Sequence, residues 1–162
     1  MKKRNLSQHN SISALKNKNV KIGIVVSEWN ETITNALKEG ALAFLQEAGI
    51  AKNQIVVQSV PGSFELPSGA AMMLDADDST DAIICLGCVI QGETRHFEFI
   101  SQAVANGIMR VSLDYGVPVI FGVLTCDTME QALERAGGKL GNKGVEAAYS
   151  CLKMLELQQN IN

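Results

Sequence analysis

Residues 81–99 read DAIICLGCVIQGETRHFEF. From Ala82 to Ile90 every side chain is apolar or absent, with no polar alternation. Such a run fits a strand buried on both faces, the kind found in parallel sheets covered by helices. The chain then turns polar through Gln91, Gly92, Glu93, Thr94, Arg95 and His96. After that, Phe97, Ile100, Val104, Ile108 and Val111 recur at three- and four-residue steps, a helix stripe. A doubly buried strand passing through one short loop into a helix is half of a strand–helix–strand crossover.

The same alternation runs along the rest of the chain. VKIGIVVS (20–27), QIVVQSV (54–60) and VPVIFGVLT (117–125) read as further strands. Ile33, Leu37, Ala41, Phe44 and Ala48 mark a helix closed by Gly49. A short Ala/Met helix is expected from Phe64 to Leu74 and a brief one over 128–136. A last helix carries Val145, Ala148, Tyr149, Leu152 and Leu155. Four apolar strands separated by helices predict a three-layer α/β/α sandwich around a four-stranded parallel sheet.

The 162 residues suit a single domain over 19–162, preceded by an arm over 1–18. The arm carries Lys2, Lys3, Arg4, Lys16 and Lys18 and no acid, so the −3 net charge leaves −8 on the body. A solvated tail, or contact with a sister subunit, explains this better than nucleic-acid binding. No apolar run approaches the ~18 residues needed to cross a bilayer, and no secretory leader pattern follows Met1. Cys85 and Cys88 spell C-x-x-C, but within a strand, with no second pair or histidines to complete a zinc set. Cys85, Cys88, Cys126 and Cys151 read as buried, reduced thiols, which suits a cytoplasmic protein with no metal.

In a parallel sheet, ligands bind beyond the carboxyl ends of the strands. The loops there read SEWNE (27–31), VPGSFE (60–65), VIQGETRH (89–96) and LTCDT (124–128). His96 is the one imidazole of the body, and imidazole suits proton transfer near neutral pH. From position alone, a solvated first-turn histidine reads equally well. Gly92, Glu93 and Thr94 open a helix whose N–H groups and dipole favour an anion, and Gly92 would admit close backbone approach. Trp29 and Phe64 place flat rings just past strand ends, where stacking on a heterocycle competes with packing. Arg135 suits either a helix C-terminus or a phosphate. RAGGKLGNKG (135–144) is glycine-rich but matches no nucleotide loop.

Taken together, these stretches resemble the lumazine synthase family. The likeness is carried by KIGIVVSEWNETI, VPGSFELP, DAIICLGCVIQGETRHFEFI, GVPVIFGVLT and EQALERAGGKLGNKG, from about residue 20 to 158. The resemblance implies a flavodoxin-like sheet of order 2-1-3-4. It implies condensation of 5-amino-6-(ribitylamino)uracil with 3,4-dihydroxy-2-butanone 4-phosphate, without a cofactor, in riboflavin biosynthesis. By the same resemblance Trp29 stacks the pyrimidine, Ser63, Phe64 and Glu65 bind the ribityl chain, and Cys88, Val89 and Ile90 read the ring edge. Glu93, Thr94 and Arg135 fall at the phosphate, His96 at the proton-transfer residue, Phe121 at a closing wall, and Lys143 near the ligand. Sites between subunits, Phe121 and Arg135 coming from the next chain, are also implied. So are pentamers or a shell of twelve pentamers, with riboflavin synthase a candidate partner. Residues 12–18 would add a strand to a neighbouring subunit. Glu28 and Glu93 depart from the family pattern by putting acids near an anionic substrate. The rivals are a flavodoxin-type flavin carrier, which needs a phosphate-cradling loop that SEWNE does not spell, and a shell protein with a decayed site.

Overall fold

Strands β1 (Ile22–Ser27), β2 (Ile55–Val60), β3 (Ala82–Ile90) and β4 (Val119–Cys126) lie side by side in the order β2-β1-β3-β4, all parallel. The computed structural model describes residues 19–161 together with Asn5, Ser7, Leu15 and Asn17. Central strand β1 is buried at every position, and β3 is buried from Ala82 to Cys88. Both therefore read as continuous apolar runs. Edge strand β2 is half exposed, so its sequence admits Gln58 and Ser59.

Helices α1 (Glu31–Glu47), α2 (Leu66–Ala76), α3 (His96–Tyr115), α4 (Met129–Arg135) and α5 (Lys143–Ile161) complete three layers. Neighbouring strand residues point to opposite faces. Ile24, Ile84 and Leu86 meet Leu37 and Ala41 of α1 and Ala148 and Leu152 of α5. Val25, Ile83 and Cys85 meet Leu66 and Ala70 of α2 and Val104 and Ile108 of α3. Each fully buried Leu or Ile contributes about 1.5–3 kcal/mol, so the two cores dominate the stability of the sheet.

Two local expectations shift. The helix read from Phe64 begins instead as a 3-10 turn at Ser63–Glu65, and α2 starts at Leu66. Pro67 sits in its first turn, where a missing N–H costs no helical bond. The RAGGKLGNKG stretch forms an unforeseen antiparallel hairpin of β5 (Ala136–Gly138) and β6 (Gly141–Asn142).

Leu15 is buried in the α1/α5 core, and Asn17 exchanges hydrogen bonds of 3.1 and 2.8 Å with the Gln159 side chain of α5. The strand expected over 12–18 lies outside the described residues but for these two. Cys85, Cys88, Cys126 and Cys151 are all buried and unpaired. Among the described residues no helix is long and apolar enough to cross a membrane.

Candidate active site

The carboxyl edge of the sheet is stepped. β3 pairs with β4 up to Ile90, but its pairing with β1 stops at Leu86. Beyond that point the β1 side of β3 is covered by side chains instead of a strand. The Asn30 amide donates to the Cys88 carbonyl at 3.0 Å, and the Ser63 hydroxyl donates to the same oxygen at 3.4 Å. Asn30 takes the left-handed conformation, φ 60°, which asparagine tolerates better than most residues. Val89 and Ile90 follow, half-buried, where β1 no longer runs.

The loops after β1 and β2 are zipped together. Glu28 N–H donates to the Val60 carbonyl at 2.9 Å, and Trp29 N–H to the Pro61 carbonyl at 3.0 Å. Trp29 lies over Gly62, where a Cβ would come within 2.6 Å of the indole ring. Only glycine admits that approach. The ring is still 65% exposed, and Phe64 is 54% exposed. Neither packs into the core, so each ring keeps exposed surface for a ligand. Glu65 accepts from Gly62 N–H at 3.0 Å, which fixes the carboxylate beside the two rings.

Glu93, Thr94 and His96 are exposed at the mouth of α3. No side chain caps that helix, although Thr94 Oγ1 accepts from His96 N–H at a long 3.4 Å. The helix dipole and first-turn amides therefore favour an anion there. Arg95 is turned aside to Glu98 at 3.1 Å. Gly92 faces open space and takes no left-handed φ, so nothing within this chain demands a glycine at that position.

Arg135 and Lys143 are elsewhere, in a tight cluster where α4, the hairpin and α5 meet. Arg135 Nη1 donates to the Leu140 carbonyl at 2.9 Å, and Nη2 pairs with Glu146 at 3.0 Å. Lys143 Nζ reaches the same carboxylate oxygen at 3.3 Å. Asn142 anchors the cluster. Its side-chain oxygen accepts from Gly144 and Val145 N–H at 2.8 and 3.3 Å, capping α5, and its amide donates to the Ala36 carbonyl at 2.9 Å. Phe121 is also apart from the loops. It pairs with Cys85, well upstream of the strand end at Cys126, on the edge strand.

Cys88 sits at the strand end yet is a poor nucleophile: burial and the nearby Cys126 push its thiol up to about 12. Burial alone does the same to Cys85 and Cys151. The structure thus gathers Trp29, Ser63, Phe64, Glu65, Cys88, Val89, Ile90, Glu93, Thr94 and His96 at one edge of the sheet, and leaves Phe121, Arg135 and Lys143 outside it. Sequence reasoning missed Asn30, Asn142 and Glu146. The asparagine just ahead of a helix stripe was a readable cap signal.

A family model described as 6,7-dimethyl-8-ribityllumazine synthase matches residues 19–159. Curated proteins of that description are similar over most of the chain. The one from Cytophaga hutchinsonii is 60% identical over 133 residues, covering 82% of this chain and 83% of its own length. Those from Porphyromonas gingivalis and Phocaeicola vulgatus are 49% and 44% identical, covering 96% and 97% of this chain and 96% and 93% of their own.

Proposed function

The chain belongs to the 6,7-dimethyl-8-ribityllumazine synthase family, and on that premise we propose how its strand-end loops carry out the condensation. It is a transferase of riboflavin biosynthesis. It joins 5-amino-6-(ribitylamino)uracil to 3,4-dihydroxy-2-butanone 4-phosphate, forming 6,7-dimethyl-8-ribityllumazine with release of phosphate and water.

The pyrimidine stacks on Trp29 and turns its polar edge to the backbone of Cys88, Val89 and Ile90. There β3 has lost its β1 neighbour, and the Asn30 and Ser63 side chains that reach the Cys88 carbonyl stand in its place. The ribityl hydroxyls meet Ser63, the backbone of Phe64, and the Glu65 carboxylate that Gly62 holds in place. The phosphate ester lies at the mouth of α3 against the amides near Glu93 and Thr94. The amine adds to the ketone to give an imine, the phosphate leaves, and the second nitrogen closes the ring. Each step moves a proton, and His96 is the group at that mouth able both to take and to give one. The acids Glu28 and Glu93 weaken the hold on the phosphate without removing any reacting group.

The substrates are small molecules and the family is oligomeric. The finer assembly belongs to the proposal: pentamers, or twelve of them in a shell, in which Arg135, Lys143 and Phe121 of one chain close the site of the next. Arg135 and Glu146 sit on the α1/α5 side of the sheet, whereas His96 opens α3 on the other side. Phe99, Met109 and Leu113 of α3 are largely exposed, an apolar face suited to burial against a neighbour. Riboflavin synthase, which consumes the product, is the partner to test. Four unpaired buried thiols suit a reducing cytoplasm.

The observation that carries this reading is the convergence of two exposed aromatic rings, a fixed carboxylate, the end of β3 that extends past β1 and one imidazole at a single sheet edge. Mixing the protein with both substrates should give the green fluorescence of the lumazine; no product at any substrate level would refute it. Arg135→Ala should raise KM for the butanone phosphate by roughly 10- to 100-fold, the worth of a charge-assisted bond, with little change in KM for the pyrimidine.

A further inference from the structure

One group in the Arg135 cluster has no part in the steps above. Glu146 is only 8% exposed, the one acidic side chain among the described residues that is buried. Its Oε2 accepts from both Arg135 and Lys143, at 3.0 and 3.3 Å. With the Leu140 carbonyl on Nη1 and Glu146 on Nη2, an acceptor holds each terminal nitrogen of the guanidinium. That fixes its plane. Five N–H donors make up the fork and these two bonds use two of them, so the guanidinium keeps donors for a ligand. One carboxylate against two cations leaves the cluster with a surplus positive charge.

The second oxygen of Glu146 leads to the arm. Ser7 Oγ lies 3.4 Å from Oε1. The same hydroxyl accepts from Asn142 N–H at 2.6 Å and has the Asn142 carbonyl at 3.1 Å. Gly141 makes this possible. A Cβ there would stand 2.2 Å from Ser7 Oγ and 2.3 Å from Asn5 Oδ1, and its φ of +91° already favours glycine. Asn5 and Ser7 of the arm therefore lie against the hairpin next to the carboxylate that holds Arg135.

We propose, on the reading of Arg135 as the phosphate-binding cation, that Glu146 is a positioning residue for it and that Ser7 steadies Glu146, so the N-terminal arm is a working part of the phosphate site. Glu146 orients the guanidinium and does not touch the substrate. A carboxylate serving only to offset charge would behave differently, because its removal would strengthen the attraction for an anion.

The test uses the assembled enzyme and follows KM for each substrate separately. Positioning predicts that Glu146→Gln raises KM for the butanone phosphate roughly tenfold, despite the added positive charge. KM for the pyrimidine should stay unchanged, and Glu146→Asp should recover part of the loss. Ser7→Ala, with its urea midpoint checked against wild type, should raise the same KM about threefold, and Ser7→Thr should restore it. The double variant should be no worse than Glu146→Gln alone, because both changes act through one carboxylate. A lowered or unchanged KM in Glu146→Gln and Ser7→Ala, while Arg135→Ala raises it, overturns the inference and leaves the role of Arg135 standing. An unchanged KM in Arg135→Ala takes both together.

Discussion

The loops at the sheet edge and the cluster at the start of α5 are built on opposite plans. At the edge, Trp29, Phe64 and His96 project outward, and few internal contacts hold them. In the cluster, the side chains of Asn142 and Glu146 each hold three groups, and that of Arg135 two. The first region has surface to offer a ligand and little folding energy to lose. The second is satisfied from within, and it carries its chemistry as a preset orientation.

That contrast breaks most decisively at His96. His96→Ala should lower kcat on the order of 100-fold, with oligomeric mass and urea midpoint as in wild type. A variant that fell apart would mean the imidazole belongs to the architecture. Asn142→Ala should do the reverse, costing about 2 kcal/mol of stability through a lost helix cap and a lost bond to α1. Urea unfolding reads this directly, and a midpoint equal to wild type would remove the cluster's structural role. Trp29→Ala should raise KM for the pyrimidine about tenfold while the unfolding midpoint barely moves; a large drop in midpoint would show that the ring is packed, not open. The smallest effect is expected at the far end of the sheet. There the Lys21 ammonium, with help from Ser79, holds the Asp77 carboxyl down to about 2. A depressed carboxyl stabilises the fold above about pH 4, and that contribution fades as pH falls toward 2. Asp77→Asn should flatten that part of the acid unfolding curve and leave activity at neutral pH untouched.

The four strands and long helices were legible because burial repeats along them: β3 is apolar on both faces, and α3 shows its stripe. The edge residues were legible because strand ends mark where ligands sit. What escaped had partners far away in sequence. Glu146 meets Arg135 eleven residues earlier and Ser7 at a separation of 139. Its one local clue, Lys143 three residues before, is common on any helix surface. The hairpin over 136–142 was hidden because glycines carry no pattern of burial, and RAGGKLGNKG reads as a failed phosphate loop. That Phe121 stands apart from Phe64 was implied by the resemblance, not by spacing, and the strand register places it there.

The step between β1 and β3 has a further consequence. β3 runs on for four residues after its neighbour stops pairing, a ledge about 13 Å long at ~3.3 Å per residue. The room beside this ledge is thus set by strand length together with the Asn30 and Ser63 side chains that reach the Cys88 carbonyl. Two residues more on the shorter strand would silt it up without altering any reacting group; two fewer would deepen it enough to welcome a bulkier ring. Selection for ring size in this architecture can act through strand length.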